Sequence, residues 1–197
     1  AGKLLNIEEM RDNDYVITTK ELVQWCQEEG LDLDKITPSK FDSVLGEGTG
    51  AGMIFGNTGG VMEAALRTVY RVLEGKEAPA DFYQLRPVRG LSNRKEAEVT
   101  IAGKKLRVCI LYGTAAAEKF LAEDMNGYHF VEVMTCPGGC ISGAGQPDCG
   151  SVPVSDVVRK KRIQSLYQAD EQAERRNSMD NPEIGTIYHE FFKEPLS

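Results

Sequence analysis

The chain has 197 residues, with 23 basic and 30 acidic side chains, which gives a formal net charge of −7. This length allows one domain with a well-formed core, and we treat residues 1–197 as a single domain. The acidic balance argues against a nucleic acid or an anionic membrane as a partner, because there is no basic stripe to neutralise phosphates.

Two further features bear on location. There is no stretch of roughly 18 apolar residues, the length typical of a membrane-spanning helix, and Ala1–Arg11 lacks the charged-then-apolar pattern of a secretory signal.

The number of cysteines is odd and their spacing is uneven, which argues against a disulfide framework. The five are Cys26, Cys109, Cys136, Cys140 and Cys149. We therefore expect a cytoplasmic protein.

The N-terminal part of the chain predicts one helix. Tyr15–Thr18 is a short β-rich run, and Thr19 can cap a helix that ends near Glu29, with Gly30 as its stop. Cys26 shares the apolar face of this helix with Val23, so we expect a buried thiol rather than a ligand.

A glycine-rich segment follows, with seven glycines among residues 46–60. Their spacing loosely fits a dinucleotide-binding fingerprint, but no strand precedes them, and no Gly-Lys-Ser/Thr follows as a phosphate loop requires. The other use of such glycines is to let the backbone pass close to a bulky ligand.

A helix is predicted from Asn57 or Thr58 to about Glu74, closed by Gly75. Its N-terminus, with free amides and the positive end of the dipole, would suit an anion. Met62 is expected in the core, and the inward face is expected to carry Val61, Ala65, Val69 and Val72.

The centre of the chain predicts a hairpin followed by a βαβ unit. After an irregular connection over residues 77–94, runs at 99–101 and 106–112 flank Ala102–Gly103, a hairpin signal. Thr114 can cap a helix to about Met125, and Tyr128–Met134 reads as another strand, parallel to its predecessor. Cys109, inside an apolar strand, is expected in the core.

Two helices complete the predicted elements. The first runs from Pro153 to about Arg176 with an apolar face of Val157, Ile163, Leu166 and Tyr167, and the second runs from Asn181–Pro182 to Phe192. The basic run 159–162 reads as a solvated helix face, with a docking patch as the alternative. The fold class is therefore α/β: a βαβ-based, mainly parallel sheet flanked by helices, with a C-terminal helical segment.

The most informative stretch is the loop after the strand that ends at Met134. Cys136 and Cys140 lie four residues apart, separated by Pro137, Gly138 and Gly139, which exclude regular structure. Two thiols at the carboxyl end of a strand indicate ligands for an inorganic centre, although two thiolates do not fill a four-cysteine iron–sulfur site. A zinc site or a redox pair is the alternative, but zinc needs four ligands and the spacing is not that of thioredoxin.

These motifs resemble the C-terminal half of the catalytic domain of [FeFe]-hydrogenases. The resemblance is carried by residues 132–147 (Glu-Val-Met-Thr-Cys-Pro-Gly-Gly-Cys-Ile-Ser-Gly-Ala-Gly-Gln-Pro), by 55–67 (Phe-Gly-Asn-Thr-Gly-Gly-Val-Met-Glu-Ala-Ala-Leu-Arg) and by 15–22. Asn181-Pro-Glu-Ile, with Tyr188 and Phe191–Phe192, is similar to the family's closing helix.

The resemblance implies an H-cluster, a [4Fe–4S] cubane joined to a di-iron subcluster, and the reversible reduction of protons to hydrogen. By resemblance, Cys136 is a cubane ligand and the sulfur of Cys140 bridges the two parts. The other implied site residues are Met134 near the bridging carbonyl, Phe55 and Gly56 lining the di-iron pocket, and Gly138 and Gly139, whose backbone approaches the cluster sulfurs.

The chain also departs from the family pattern. Neither Thr-Ser-Cys-Cys-Pro-x-Trp nor Met-Pro-Cys-x-x-Lys is present, so half of the cubane ligands and the proton-relay cysteine are missing. Asn57 replaces a small residue, which could alter the pocket, and Cys149 has no assigned role. We therefore expect a partner, the N-terminal half of the catalytic domain or a homologous subunit, and an electron-transfer protein such as ferredoxin.

By the same reasoning, the chain alone should bind no cluster and make no hydrogen. An apolar face should be exposed where the missing half would pack, which favours self-association. The alternative function is a hydrogenase-like module without catalysis that serves sensing, regulation or assembly.

Overall fold

A computed structural model describes residues 13–40, 42, 46–123 and 125–192. The prediction that Ala1–Arg11 is not a secretory signal concerns a segment outside the described residues. Three strands form one sheet in the order β1 (Arg94–Ile101), β2 (Lys104–Tyr112) and β3 (Phe130–Met134). The helices are α1 (Thr19–Glu28), α2 (Gly50–Ile54), α3 (Gly60–Glu74), α4 (Thr114–Leu121), α5 (Asp156–Gln172) and α6 (Pro182–Ile187), which continues as a π-helical turn at Tyr188–Phe192.

The predicted hairpin and βαβ unit are both confirmed. β1 and β2 are antiparallel around Ala102 and Gly103, whose φ angles of +50° and +71° suit a two-residue hairpin turn. β2 and β3 are parallel, with Cys109 opposite Val131, and α4 connects them. The class is α/β as expected, but the described sheet is mixed rather than mainly parallel, because the hairpin provides the longer of its two pairings.

The sheet is covered on both faces, which explains the near-continuous apolar run of its central strand. Val108 and Ile110 of β2 belong to the main core with Met62 and Leu66 of α3. Cys109 and Leu111 point the other way and pack with Phe120 of α4. Cys109 and Met62 are therefore core residues, as predicted.

Helix α1 differs from its prediction in two ways. Thr18, not Thr19, is the N-cap: its hydroxyl accepts from Glu21 N at 3.2 Å, while Thr18 N donates to the Glu21 carboxylate at 2.7 Å. Tyr15–Thr18 belongs to none of the described strands, because β propensity alone provides no partner strand. Cys26 is only half-buried, since none of the residues in α1 is fully buried.

Helix α3 begins two to three residues later than predicted and buries a different face. A Cβ on Gly60 would lie 1.7 Å from Ile54 O, so the chain turns tightly there before the helix starts. The buried residues include Met62, Glu63, Leu66 and Arg67 rather than the valine stripe. The buried face carries an ion pair, which an apolar pattern cannot predict.

Helix α5 is shorter than predicted at both ends. It is capped by Ser155 rather than beginning at Pro153, and it ends at Gln172. Tyr167 is buried as expected, but Val157 is 65% exposed, so the predicted apolar face holds only for the second half of the helix. None of the described helices is long and apolar enough to cross a membrane.

Candidate functional site

The cysteine loop lies at the carboxyl end of β3, where ligand sites of α/β sheets gather. Met134 O accepts from Gly113 N at 2.8 Å, so the end of β3 is tied to the end of β2. Cys136 is half-buried and Cys140 is exposed, and a short 3-10 turn begins at Cys140. The loop therefore presents one thiol outward and one partly inward.

The glycine-rich segment lies directly against this loop. Thr58 N donates to Gly138 O at 2.9 Å, and Ile141 N donates to Gly56 O at 3.1 Å. A Cβ on Gly139, whose φ is +96°, would lie 2.8 Å from Thr58 N. The predicted close approach of backbone is therefore present, and its observed neighbour is the backbone of residues 56–58.

An open depression of about 330 Å³ lies beside Cys140. Gly56 lines it, and a Cβ on this glycine would lie 2.9 Å from Leu166 Cδ1, so a larger residue would require the Leu166 side chain to move. Phe55 at the end of α2 is 45% exposed, and Met134 is half-buried. The described lining includes neither of these two side chains.

The predicted anion site at the N-terminus of α3 is occupied by a carboxylate of the chain itself. Glu132 on β3 accepts from Gly59 N at 2.6 Å and from Met62 N at 2.8 Å. Burial raises the pKa of Glu132, and these two amides oppose that shift. The site thus fastens β3 to α3 immediately before the cysteine loop.

A buried lysine completes this support. Lys95 on β1 donates to Thr58 O at 2.8 Å and to Gly90 O at 3.1 Å. Burial lowers the pKa of Lys95 to about 8, although the charge of Glu132 acts in the opposite direction. Since Thr58 N donates to Gly138 O, the single residue Thr58 connects Lys95 to the cysteine loop. Neither Lys95 nor a role for Glu132 was predicted from the sequence. The signal available there was a single carboxylate, Glu132, inside the apolar run of β3.

Two arginines of α5 hold the other side of the loop. Arg162 donates to Ile141 O at 2.7 Å and to Pro147 O at 2.5 Å, and lies 3.4 Å from Cys149 Sγ. Arg159 Nε donates to Ser142 Oγ at 3.2 Å. The prediction of a solvated basic face was therefore half wrong: Lys160 and Lys161 are exposed, but both arginines of the run bind the loop.

Two residues that departed from the family pattern can now be located. Asn57 is fully buried and its amide donates to Ile54 O at 2.7 Å, so its side chain packs inside the fold rather than lining the depression. Cys149 is exposed, has a φ of +53° and contacts Arg162.

A buried ionic cluster fastens α5 to α3. Arg67 binds both carboxylate oxygens of Asp170 at 2.8 Å and also Glu63 at 2.8 Å. Arg176 binds Asp170 at 2.6 Å, and Arg89 binds Glu63 at 2.7 Å. Burial alone would raise the pKa of Asp170, but the two guanidinium groups hold it below its ordinary value. The helix that carries Arg162 is therefore anchored independently of the loop.

The donors of the site are two thiols. Within the described residues, no three His, Cys, Asp or Glu side chains converge as a metal site. Cys136 and Cys140 are soft donors on a loop held from both sides, which fits a contribution of two ligands to an iron–sulfur cluster that is completed from elsewhere.

The comparisons with known proteins divide the chain near the end of the cysteine loop. Residues 4–144 match the family model for the iron only hydrogenase large subunit, C-terminal domain. Residues 156–197 match the model for the iron hydrogenase small subunit.

Individual relatives agree with this match. Iron hydrogenase 1 of Clostridium pasteurianum is 40% identical over 190 residues, which are 94% of this chain and 33% of the relative. The periplasmic [Fe] hydrogenase large subunit of Nitratidesulfovibrio vulgaris is 44% identical over 142 residues, which are 70% of this chain and 33% of the relative. The chain thus spans about a third of the length of these curated relatives.

A solved structure and a second group of relatives are also similar. A variant of the [FeFe]-hydrogenase HydA1 from Chlamydomonas reinhardtii aligns with a TM-score of 0.68 at 34% identity, covering 93% of this chain and 52% of that one. A cytosolic Fe-S cluster assembly factor of Xenopus tropicalis is 28% identical over 197 residues, covering 94% of this chain and 39% of the relative.

Proposed function

The chain belongs to the family of the iron only hydrogenase large subunit, C-terminal domain, and from this premise we propose that it forms part of an [FeFe]-hydrogenase. In this proposal it supplies two cysteine ligands to the H-cluster of an enzyme that interconverts protons and hydrogen. The observation that carries the proposal is the cysteine loop, fixed by Thr58 N on one side and by Arg162 on the other.

We assign the site residues as follows. Cys136 would hold the cubane as a ligand, and Cys140 would be the ligand shared by the cubane and the di-iron subcluster. Gly138 and Gly139 bring the loop backbone close to the cofactor, where amide hydrogen bonds to cluster sulfurs tune the potential. Gly56 lines the depression beside Cys140, and in this assignment Met134 and Phe55 would lie on the di-iron side of the cofactor.

When bound, the iron cofactor would accept electrons from an external carrier and supply the metal chemistry of proton reduction. The chain itself presents the two thiolates and restricts their positions. The fixed loop reduces the reorganisation that accompanies cofactor binding, because the backbone around both cysteines is already hydrogen-bonded.

The remaining parts of the proposed enzyme lie outside this region. The other two cubane ligands and the proton-relay cysteine would come from the N-terminal half of the catalytic domain or from a homologous subunit. A small iron–sulfur carrier such as ferredoxin would deliver electrons. The cytoplasmic location expected from the sequence stays a prediction, which cell fractionation can test.

The test compares the 197-residue chain alone with the chain supplemented by a polypeptide that carries both missing cysteine motifs. Each sample receives iron and sulfide anaerobically, followed by a synthetic di-iron dithiolate complex with carbonyl and cyanide ligands, and then a low-potential chemical reductant as the electron donor. We expect hydrogen evolution and protein-bound carbonyl bands in the infrared only for the combined sample. Two thiolates cannot hold a cubane that needs four.

Matched cysteine variants separate ligands from bystanders. Cys140→Ser should abolish hydrogen evolution in the combined sample, whereas Cys149→Ser should leave it unchanged. Appreciable hydrogen evolution by the chain alone would refute the shared site, and so would full activity of Cys140→Ser.

A second candidate function rests on the assembly-factor relatives, which match over as much of the chain as the hydrogenases do. In this alternative the chain is a hydrogenase-like module without catalysis that serves iron–sulfur assembly, sensing or regulation. It predicts cluster binding in the combined sample without the carbonyl bands and without hydrogen. The higher identity of the hydrogenases, 40% against 28%, favours the enzyme.

A further inference from the structure

Arg162 belongs to one family region and binds another. It lies on α5 within residues 156–197, which match the small subunit, whereas Ile141 lies within residues 4–144, which match the large subunit. Its second acceptor, Pro147 O, lies in the connection between the two regions. The contact therefore joins the small-subunit-like region to the loop that carries both proposed cluster ligands.

The geometry of this contact suits a guanidinium group. Its two terminal nitrogens bind carbonyls six residues apart, so one rigid planar group spans the loop from Ile141 to Pro147. Ile141 directly follows Cys140 and belongs to the same 3-10 turn. Arg162 also lines the depression beside Cys140.

Neighbouring residues of α5 strengthen the same contact. Arg159, one turn earlier, binds Ser142, and Leu166, one turn later, lies against Gly56. These positions share one helical face, as the i, i+3 and i, i+4 spacing requires. Because the ionic cluster with Arg67 anchors α5 at Asp170, the position of Arg162 does not depend on the loop that it binds.

We propose that Arg162 is a positioning residue for the cluster-binding loop, supplied by the small-subunit-like region. It fixes the turn that carries Cys140 and keeps a permanent positive charge beside it. This inference rests on the proposed function for the identity of the cofactor. It also implies that, where the two regions are separate polypeptides, the site is complete only when the second polypeptide is bound.

The test uses the full chain without cofactor and measures amide hydrogen exchange. Ser142 N and Gly143 N close the turn by donating to Gly139 O and Cys140 O, so their exchange reports whether the turn is held. In Arg162→Ala, both amides should exchange about tenfold faster or more, the factor expected when a charge-assisted hydrogen bond is lost. Arg162→Lys keeps the positive charge but lacks the two terminal nitrogens that bind Ile141 O and Pro147 O together. It should restore part of the protection of these amides against exchange.

A matched variant controls for general destabilisation. Arg175 is also an arginine near the end of α5, but it pairs with Glu47 away from the loop. Arg175→Ala should leave exchange at Ser142 and Gly143 unchanged. Thermal unfolding of all variants identifies any that fail to fold, in which case Arg162→Lys alone decides.

A second readout follows each cysteine by mass spectrometry after limited alkylation. The ratio of labelled Cys140 to labelled Cys26 should change in Arg162→Ala, move back towards the wild-type value in Arg162→Lys, and stay constant in Arg175→Ala. Unchanged exchange in Arg162→Ala, or equal acceleration in Arg175→Ala, would overturn the proposal. Because no cofactor is involved, this outcome is independent of whether the combined sample makes hydrogen.

Discussion

At the scale of single residues, the site depends on two buried charges that touch neither cysteine. Glu132 accepts from the amides of Gly59 and Met62 at the start of α3, and Lys95 donates to the carbonyl of Thr58, the residue whose amide lies against Gly139. Both groups lose hydration on folding, and for each group burial is the largest cause of its pKa shift. The residues that hold the cysteine loop in place are therefore supported by two side chains whose burial disfavours their charged forms.

The lowered pKa of Lys95 predicts a stability change at alkaline pH. Between about pH 8 and the unfolded value near 10.4, the native state has released the proton of Lys95 while the unfolded state still binds it. The free energy of unfolding should therefore rise with pH, by up to about 1.4 kcal/mol per pH unit, relative to Lys95→Met. Urea unfolding of both proteins at pH 7.5, 8.5 and 9.5 measures this difference.

Lys105 provides the matched control for that measurement. It lies on β2, is exposed and pairs with Glu98 at 3.1 Å, so Lys105→Met removes a lysine with little desolvation. The difference between wild type and Lys105→Met should not grow with pH over the same range. If the difference in free energy of unfolding between wild type and Lys95→Met stayed constant with pH, the lowered pKa of Lys95 would be contradicted.

At the scale of elements, the attachment of α5 to α3 depends on charge as well as on apolar contacts. Arg67, Glu63 and Asp170 are all fully buried, and the Arg67 guanidinium donates to both carboxylates. Removing one partner of such a cluster leaves an uncompensated buried charge. We expect Asp170→Asn to lower the free energy of unfolding by about 3–5 kcal/mol, measured by urea denaturation at pH 7.

Asp180 allows the same substitution in a different environment. It pairs with Arg71, and both side chains are about a third exposed. Asp180→Asn should therefore change stability by at most about 1 kcal/mol.

The effect of Asp170→Asn on the free energy of unfolding should also shrink as the pH falls below about 4. The lowered pKa of Asp170 stabilises the native state at pH values above about 4. This stabilisation is lost at lower pH as the Asp170 carboxylate binds a proton. Equal effects of the two substitutions would contradict the role of the buried cluster.

The elements that sequence reasoning predicted are those set by local periodicity and turn chemistry. Two runs of strand-forming residues flanking Ala102–Gly103 predicted the hairpin, and the order of strand, helix and strand placed Cys136 and Cys140 at the carboxyl end of a strand. Local pattern could not predict Arg67 in the core, because its partner Asp170 lies 103 residues away. For the same reason it could not predict that Arg162 binds the loop, since an arginine in a helix reads as solvated until its tertiary neighbours are known.

At the scale of the whole molecule, the chain joins regions that match a large and a small subunit, and it leaves much apolar surface exposed. Tyr15 is 91% exposed, Val133 is 57% exposed and Phe191 is 74% exposed. The two outer strands of the described sheet differ in character. β1 carries a row of charged side chains that discourages further pairing, whereas Glu132 is the only charged residue of β3 and is buried.

This contrast predicts that the 197-residue chain self-associates in solution through β3. An edge strand without outward charges can pair with a second copy, and burial of Val133 adds to the gain. The average mass measured by light scattering during size-exclusion chromatography should rise with concentration, and Val133→Lys should reduce that rise. Val72→Lys serves as the control, because Val72 is similarly exposed at 62% but lies on α3. A monomer at every concentration would contradict the prediction, and an equal effect of both substitutions would indicate an interface other than β3.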